Sequence, residues 1–343
     1  MECSELLKKL SDIRAVAGRE NMATEKIAEL FREYCDDVSV DAFYNVIGFK
    51  KGQSENPKNV LVTAHYDEIG LMVTGIEDSG FLRFTAVGGV DAKVIGAMEV
   101  TVHGKEDLFG VIGVKPPHLI PPGDKDKGIK MEDMRIDIGY GGEKARELVR
   151  IGDMVSFNSP ARELLNNRIA GKSMDNRSGV AALIEILKEL QKLKHEDNVY
   201  VVATVQEELG LIGAICTTYN IKADLGIVID VCHGDMPDAP SDEAFPLDKG
   251  VAVAIGPIIS RKHAKECIKL AGEENNFMWG SSIKDFPATF DYYHSRWQYE
   301  NVPNLKRVVD SLIDGTFDDQ GTGMFRDLHN SLLNGSNWDK ADA

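Results

Sequence analysis

Glu207 and Glu208 stand side by side where the apolar run Val201-Val202-Ala203-Thr204-Val205 ends and the turn Leu209-Gly210-Leu211-Ile212-Gly213 begins. Adjacent carboxylates repel one another and are costly to dehydrate, and no Lys or Arg flanks them in sequence. Three further stretches share this character. VLVTA (60–64) ends in His65-Tyr66-Asp67-Glu68, and LGIVI (225–229) ends in Asp230, with His233 and Asp235 just beyond. Lys172-Ser173-Met174-Asp175-Asn176-Arg177 immediately precedes a helical pattern that starts at about Gly179. Taken singly, Asp175 reads as a helix cap, His65 as a satisfied polar residue and Asp230 as a turn cap. Taken together they are one imidazole and several carboxylates at strand ends, where sites form in open α/β sheets. That donor set suits zinc, cobalt or manganese. Four such stretches exceed what one ion needs, which points to two ions sharing a bridging carboxylate.

The elements that must carry these residues follow from periodicity. Leu6, Leu7, Leu10 and Ile13 recur at helical spacing, as do Ile27, Leu30 and Phe31 after Thr24. Strand-like runs cover VSVDAFYNVIGFKKG and NVLVTAHYDEIG, and a helix runs from about Gly179 to Leu193 before the strand VYVVATV. From about residue 70 to 165 short β-like runs are broken by Gly, Pro and charged turns, with little helix. The expected fold is α/β: a central mixed sheet with helices on both faces plus an inserted small all-β barrel or sandwich. Residues 1–67 and 166–343 are assigned to the α/β domain and residues 68–165 to the insertion.

The 343 residues are 43% hydrophobic and 27% charged, with a net charge of -16. This balance argues against nucleic-acid backbones or anionic lipid as partners and suits a site that holds cations. No apolar run is long enough to span a membrane. The five cysteines are scattered without a CxxC pair, which fits a reducing compartment and a cytoplasmic location.

AHYDEIGLMV (64–73), SMDNRSGVAALIE (173–185), VQEELGLIGA (205–214) and DLGIVIDV followed by HGDMP (224–237) resemble the M42 family of dinuclear metallo-aminopeptidases. TAVGG (85–89), GVIGVKPPHL (110–119), IDIG (136–139) and IGDMVSF (151–157) are similar to that family's inserted domain. The resemblance implies that His65 and Asp230 bind one metal, that Asp175 bridges both, and that Glu208 binds the second. Glu207 would be the general base that takes the proton of the bridging water, and Asp67 would orient His65. It further implies a zinc-peptidase-like catalytic domain (1–67 and 166–343) with an inserted β barrel (68–165), two divalent ions per subunit, peptide substrates losing their N-terminal residues, and a homo-oligomer in which dimers assemble to a dodecamer through the inserted domain.

After Ser260 the pattern departs. The family's Gly-Thr-Asp-Ala segment is absent, and the nearest counterpart of its His-containing motif is Asp291-Tyr292-Tyr293-His294-Ser295. His294 is therefore taken as the remaining ligand of the second metal, although it follows Asp230 sooner than the family pattern predicts. The segment 275–300 lacks strand periodicity. Two alternatives stand beside the peptidase: an endo-β-1,4-glucanase, a label used within the family, and a catalytically impaired metal-binding member, suggested by the altered C-terminal motif.

Overall fold

The computed structural model describes residues 1–116, 118, 129–234, 237, 244, 245, 250–255, 259–273 and 277–279. Two helices, α1 (Cys3–Asp12) and α2 (Thr24–Arg32), lead into an antiparallel hairpin of β1 (Asp37–Val40) and β2 (Val46–Lys50). Then come β3 (Asn59–His65) and, much later in the chain, β12 (Asn198–Thr204) and β13 (Leu225–Val228). These strands form a mixed five-stranded sheet in the order β1-β2-β12-β3-β13. β12 and β13 flank β3 and both run parallel to it. Thr204 lies opposite His65 and Val228 opposite Thr63, so the three strands end almost level on one rim.

The sheet forms here because the strands are rich in β-branched residues that can be buried on both faces, as parallel neighbours require. Val60, Val62, Val199 and Val201 face a core built with Leu6, Leu7 and Leu10 of α1, Ile27 and Phe31 of α2, and Val180, Leu183, Ile184 and Leu187 of α4 (Met174–Leu190). The alternate residues Leu61 and Val202 are buried as well, and α5 (Ile212–Ile221) packs on β3 and β12.

Helix α4 begins at Met174 rather than Gly179, but Asp175 and Asn176 leave helical geometry (ψ 108° and 45°). Asn176 does the capping: its side-chain oxygen accepts from Gly179 N at 2.9 Å while its amide donates to Ile229 O at 2.8 Å. The cap reading of Asp175 is thereby displaced, and its carboxylate is left for the rim.

Between β3 and the return of the chain to the sheet lies a closed six-stranded barrel, β4-β5-β8-β7-β6-β9. Its strands are β4 (Gly70–Ile76), β5 (Leu82–Val87), β6 (Glu99–His103), β7 (Asp107–Gly113), β8 (Arg135–Asp137) and β9 (Met154–Phe157). Period-2 burial along β5 and β7 places Leu82, Phe84, Leu108 and Ile112 inside with Val73, Val100, Ile136 and Val155. The segment is not purely β: α3 (Gly142–Leu148) buries Ala145 against this core. A short hairpin, β10 (Arg162–Leu164) with β11 (Arg168–Ala170), leads back to α4. Beyond β13, β14 (Val251–Val253) pairs in parallel with β15 (Phe277–Trp279), and α6 (Arg261–Glu273) lies between them in the chain. The three residues of β15 fall in the stretch 275–300 that lacks strand periodicity, and a strand this short shows no usable period.

Glu68, next to the rim, ties three elements. Its carboxylate accepts from Ala15 N at 2.8 Å, from Lys172 Nζ at 2.5 Å and from the Ser173 hydroxyl. Lys172 and Glu68 side chains are only 4% and 2% exposed. Removing one partner of such a pair strands a buried charge. Lys172→Met is expected to cost about 3–5 kcal/mol, measured as a lower urea midpoint at unchanged slope. Adding Glu68→Gln to it should recover part of the loss.

Candidate metal centre

The level ends of β3, β12 and β13 bring His65, the Glu207–Glu208 turn and Asp230 to one place, and the irregular start of α4 adds Asp175. His65 Nε2 lies 3.0 Å from Asp175 Oδ1 and 3.9 Å from both Glu207 Oε2 and Asp230 Oδ1. Two groups have donor atoms mutually within 4.8 Å: His65, Asp175 and Asp230, and His65, Glu207 and Glu208. The structure thus brings six of the seven sequence-predicted residues together: His65, Asp67, Asp175, Glu207, Glu208 and Asp230. Asp175 groups with His65 and Asp230 rather than with Glu208. His294 lies outside the described residues.

Asp67 is fully buried and does two things. Its Oδ1 lies 3.5 Å from His65 Nδ1, the position expected of an orienting carboxylate. Its two oxygens also accept from Glu207 N (3.1 Å) and Glu208 N (3.2 Å). The turn is held further by Asn45 Oδ1, which accepts from Val205 N at 3.0 Å, and by Glu20 Oε1, which accepts from Gln206 N at 3.0 Å. Arg177, wholly buried, donates to Tyr66 O at 2.7 Å and to Leu10 O at 2.5 Å, locking α4 under the His65 strand end. Sequence reading missed Asn45 and Glu20 and gave no role to Arg177. Arg177 closes the run Lys172-Ser173-Met174-Asp175-Asn176-Arg177 at the head of an apolar helix, and a charge in that position is the available signal; Glu20 and Asn45 carry none.

The barrel reaches the rim through Gly88. Its φ of +77° is a left-handed conformation that favours glycine. A Cβ there would lie 2.7 Å from Ile69 Cγ2 and 3.1 Å from Glu208 Oε2. Gly88→Ala therefore pushes on a donor carboxylate.

Burial raises the Glu207 carboxyl and drives Glu208 up to about 8 and Asp230 to about 7, with Asp175 adding repulsion to all three. Burial alone would lower His65, but its hydrogen bonds to Asp175 and Asp67 and their charges outweigh that and hold it well above its ordinary value. Among the described residues, no Lys or Arg ion-pairs with Asp175, Glu207, Glu208 or Asp230. One imidazole among four crowded carboxylates that no Lys or Arg of the described residues neutralises fits a divalent cation.

Folded-state values for Glu208 and Asp230 lie above the unfolded ones of about 4. Metal-free folded protein therefore binds more protons than the unfolded chain, and its stability falls as pH rises from about 4 to about 8. A divalent ion needs deprotonated carboxylates. Calorimetric titration of zinc into chelator-treated protein at pH 7 is expected to release about two protons, from His65 together with Glu208 and Asp230, seen as a buffer-dependent enthalpy that shrinks at pH 9. A buffer-independent enthalpy at pH 7 would contradict it.

The family described as M42 glutamyl aminopeptidase matches residues 44–278. A lysyl aminopeptidase of Pyrococcus furiosus is 35% identical over 264 residues, covering 75% of this chain and 75% of that protein. Among solved structures, the Pyrococcus horikoshii TET1 peptidase, described as assembling into a tetrahedron or a large octahedral shell, superposes with a TM-score of 0.77 at 30% identity, covering 92% of this chain and 100% of that one. A Thermotoga maritima protein described as an endoglucanase gives a TM-score of 0.73 at 28% identity, covering 90% and 96%. With strands, rim and family match in agreement, this chain belongs to the M42 aminopeptidase family of metallopeptidases.

Proposed function

We propose that the chain removes N-terminal residues from peptides using two divalent ions, zinc, cobalt or manganese, with Glu207 as general base. The observation that carries this reading is the convergence of His65, Asp175, Glu207, Glu208 and Asp230 with no basic partner among the described residues. His65, Asp175 and Asp230 would hold one ion; Glu208 would hold the other, with Asp175 shared and His294 completing its ligands. When bound, such ions lower the pKa of water towards about 7 and polarise a peptide carbonyl.

The chain's own groups do the rest. Asp67 fixes the His65 ring through Nδ1, leaving Nε2 facing the carboxylates. The Glu207 carboxyl is raised by burial, which brings it nearer the working range of a base that takes a proton from attacking water and returns it to the leaving amine. A protonated substrate N-terminus is drawn to the same anionic rim.

We assign residues 1–67 and 166–343 to the catalytic domain and the barrel, 68–165, to dimer formation within a dodecamer. Exposed Phe109 (59%) and Ile151 (71%) on the barrel support an interface there, as does the assembly of the TET1 relative. Five free cysteines support a cytoplasmic location. A glucanase reading has less support. Glycosidases place two carboxyls about 5 to 9.5 Å apart across the sugar bond, whereas the Glu207 and Glu208 amides both sit on Asp67.

Hydrolysis of a panel of aminoacyl-p-nitroanilides tests the proposal. Chelator should abolish turnover, and Glu207→Gln should lower kcat by about 10²–10⁴-fold at unchanged metal content. Turnover indifferent to both would overturn it, and retained metal without turnover on any peptide would favour an impaired family member.

A further inference from the structure

Four successive backbone amides, Val205 to Glu208, each donate to a side-chain oxygen supplied from outside their own strand and turn. Asn45 stands just before β2, Asp67 just after β3, and Glu20 in a single 3₁₀ turn, Glu20–Met22, between the first two helices. Gln206 is the pivot. Its φ is +53°, a left-handed conformation that non-glycine residues adopt only when their surroundings hold them there. It turns the chain out of β12 immediately before the two glutamates.

Glu20 is 1% exposed. A single oxygen, Oε1, accepts from Gln206 N at 3.0 Å and from Gly18 N at 2.9 Å. The turn that carries Glu20 is itself pinned, because Thr24 Oγ1 donates to Glu20 O at 2.9 Å and contacts Tyr66 Oη at 2.9 Å. No Lys or Arg among the described residues pairs with the Glu20 carboxylate, and burial pushes it up to about 7. A buried carboxylate without a cation is costly, and what this one obtains in return is the Gln206 amide.

We propose that Glu20 is a positioning residue that, through the Gln206 amide, sets where the Glu207 and Glu208 carboxylates stand at the metal centre. The inference rests on the metal reading of those two glutamates given above. It is the acceptor oxygen, not the charge, that matters. Glu20→Gln keeps an oxygen where both amides need one; Glu20→Met keeps the volume and removes it.

Hydrogen exchange of the 202–214 segment, cobalt titration followed by visible absorption, and kcat with KM read the effect. Glu20→Met is expected to speed exchange at residues 205–208, weaken the second cobalt ion by about 10–100-fold, and lower kcat more than it raises KM. Glu20→Gln is expected to match wild type in all three. Wild-type exchange and cobalt affinity in Glu20→Met would overturn the proposal, and so would Glu20→Gln as damaged as Glu20→Met. If Glu20→Met does not fold, exchange in Glu20→Gln decides: wild-type protection supports the proposal and its loss overturns it. A wild-type protein that binds no cobalt defeats the metal reading instead, while the exchange arm still tests the clamp.

Discussion

Four carboxylates share one rim with a single imidazole, and among the described residues no lysine or arginine answers them. The rest of the structure either creates this crowding or contains it. Parallel pairing of β12 and β13 on either side of β3 creates it, because strands in register end together and everything just beyond their ends must meet. Burial raises the pKa of carboxyl groups and neighbouring like charges add to it, and the upward shifts of Glu207, Glu208 and Asp230 record that cost. A divalent cation there would remove the cost and tie cation binding to local stability.

Containment comes from groups that take no direct part. Asp67 meets His65 Nδ1 with its backbone carbonyl at 3.3 Å and its carboxylate at 3.5 Å, and the same carboxylate accepts from the amides of both glutamates, so the imidazole of one strand and the acidic turn of its neighbour are held by one residue. Glu68, Lys172 and Ser173 fasten the start of α4 to the end of β3, which fixes Asp175. The barrel contributes Gly88, whose missing side chain leaves room for Glu208. The insertion is therefore part of the wall of the site as well as a candidate interface.

The residues at the rim were legible in sequence because each is an acid or imidazole standing where an apolar run ends or is about to begin, and burial makes such placements expensive. Their supports were not. Glu20 and Asn45 act on amides 186 and 160 positions away, and a side chain that accepts from a distant backbone N–H leaves no local pattern. The division between Asp175 and Asn176 was equally hidden, since both are short polar residues suited to a helix start and only the tertiary position of Ile229 O decides which one caps. Helix α3 went unforeseen because seven residues with Ala145 as the main buried contact carry too little periodicity to stand out among strands. The choice of His294 as a ligand lies beyond the described residues.

Cations, and not protons or a basic side chain, are expected to neutralise this rim. A crystal structure of protein grown with zinc, with anomalous data collected above and below the zinc edge, addresses it directly. Two anomalous peaks are expected, one among His65, Asp175 and Asp230 and one at Glu208. A rim with no peak, or with a lysine or arginine side chain seated among the carboxylates, would contradict the account.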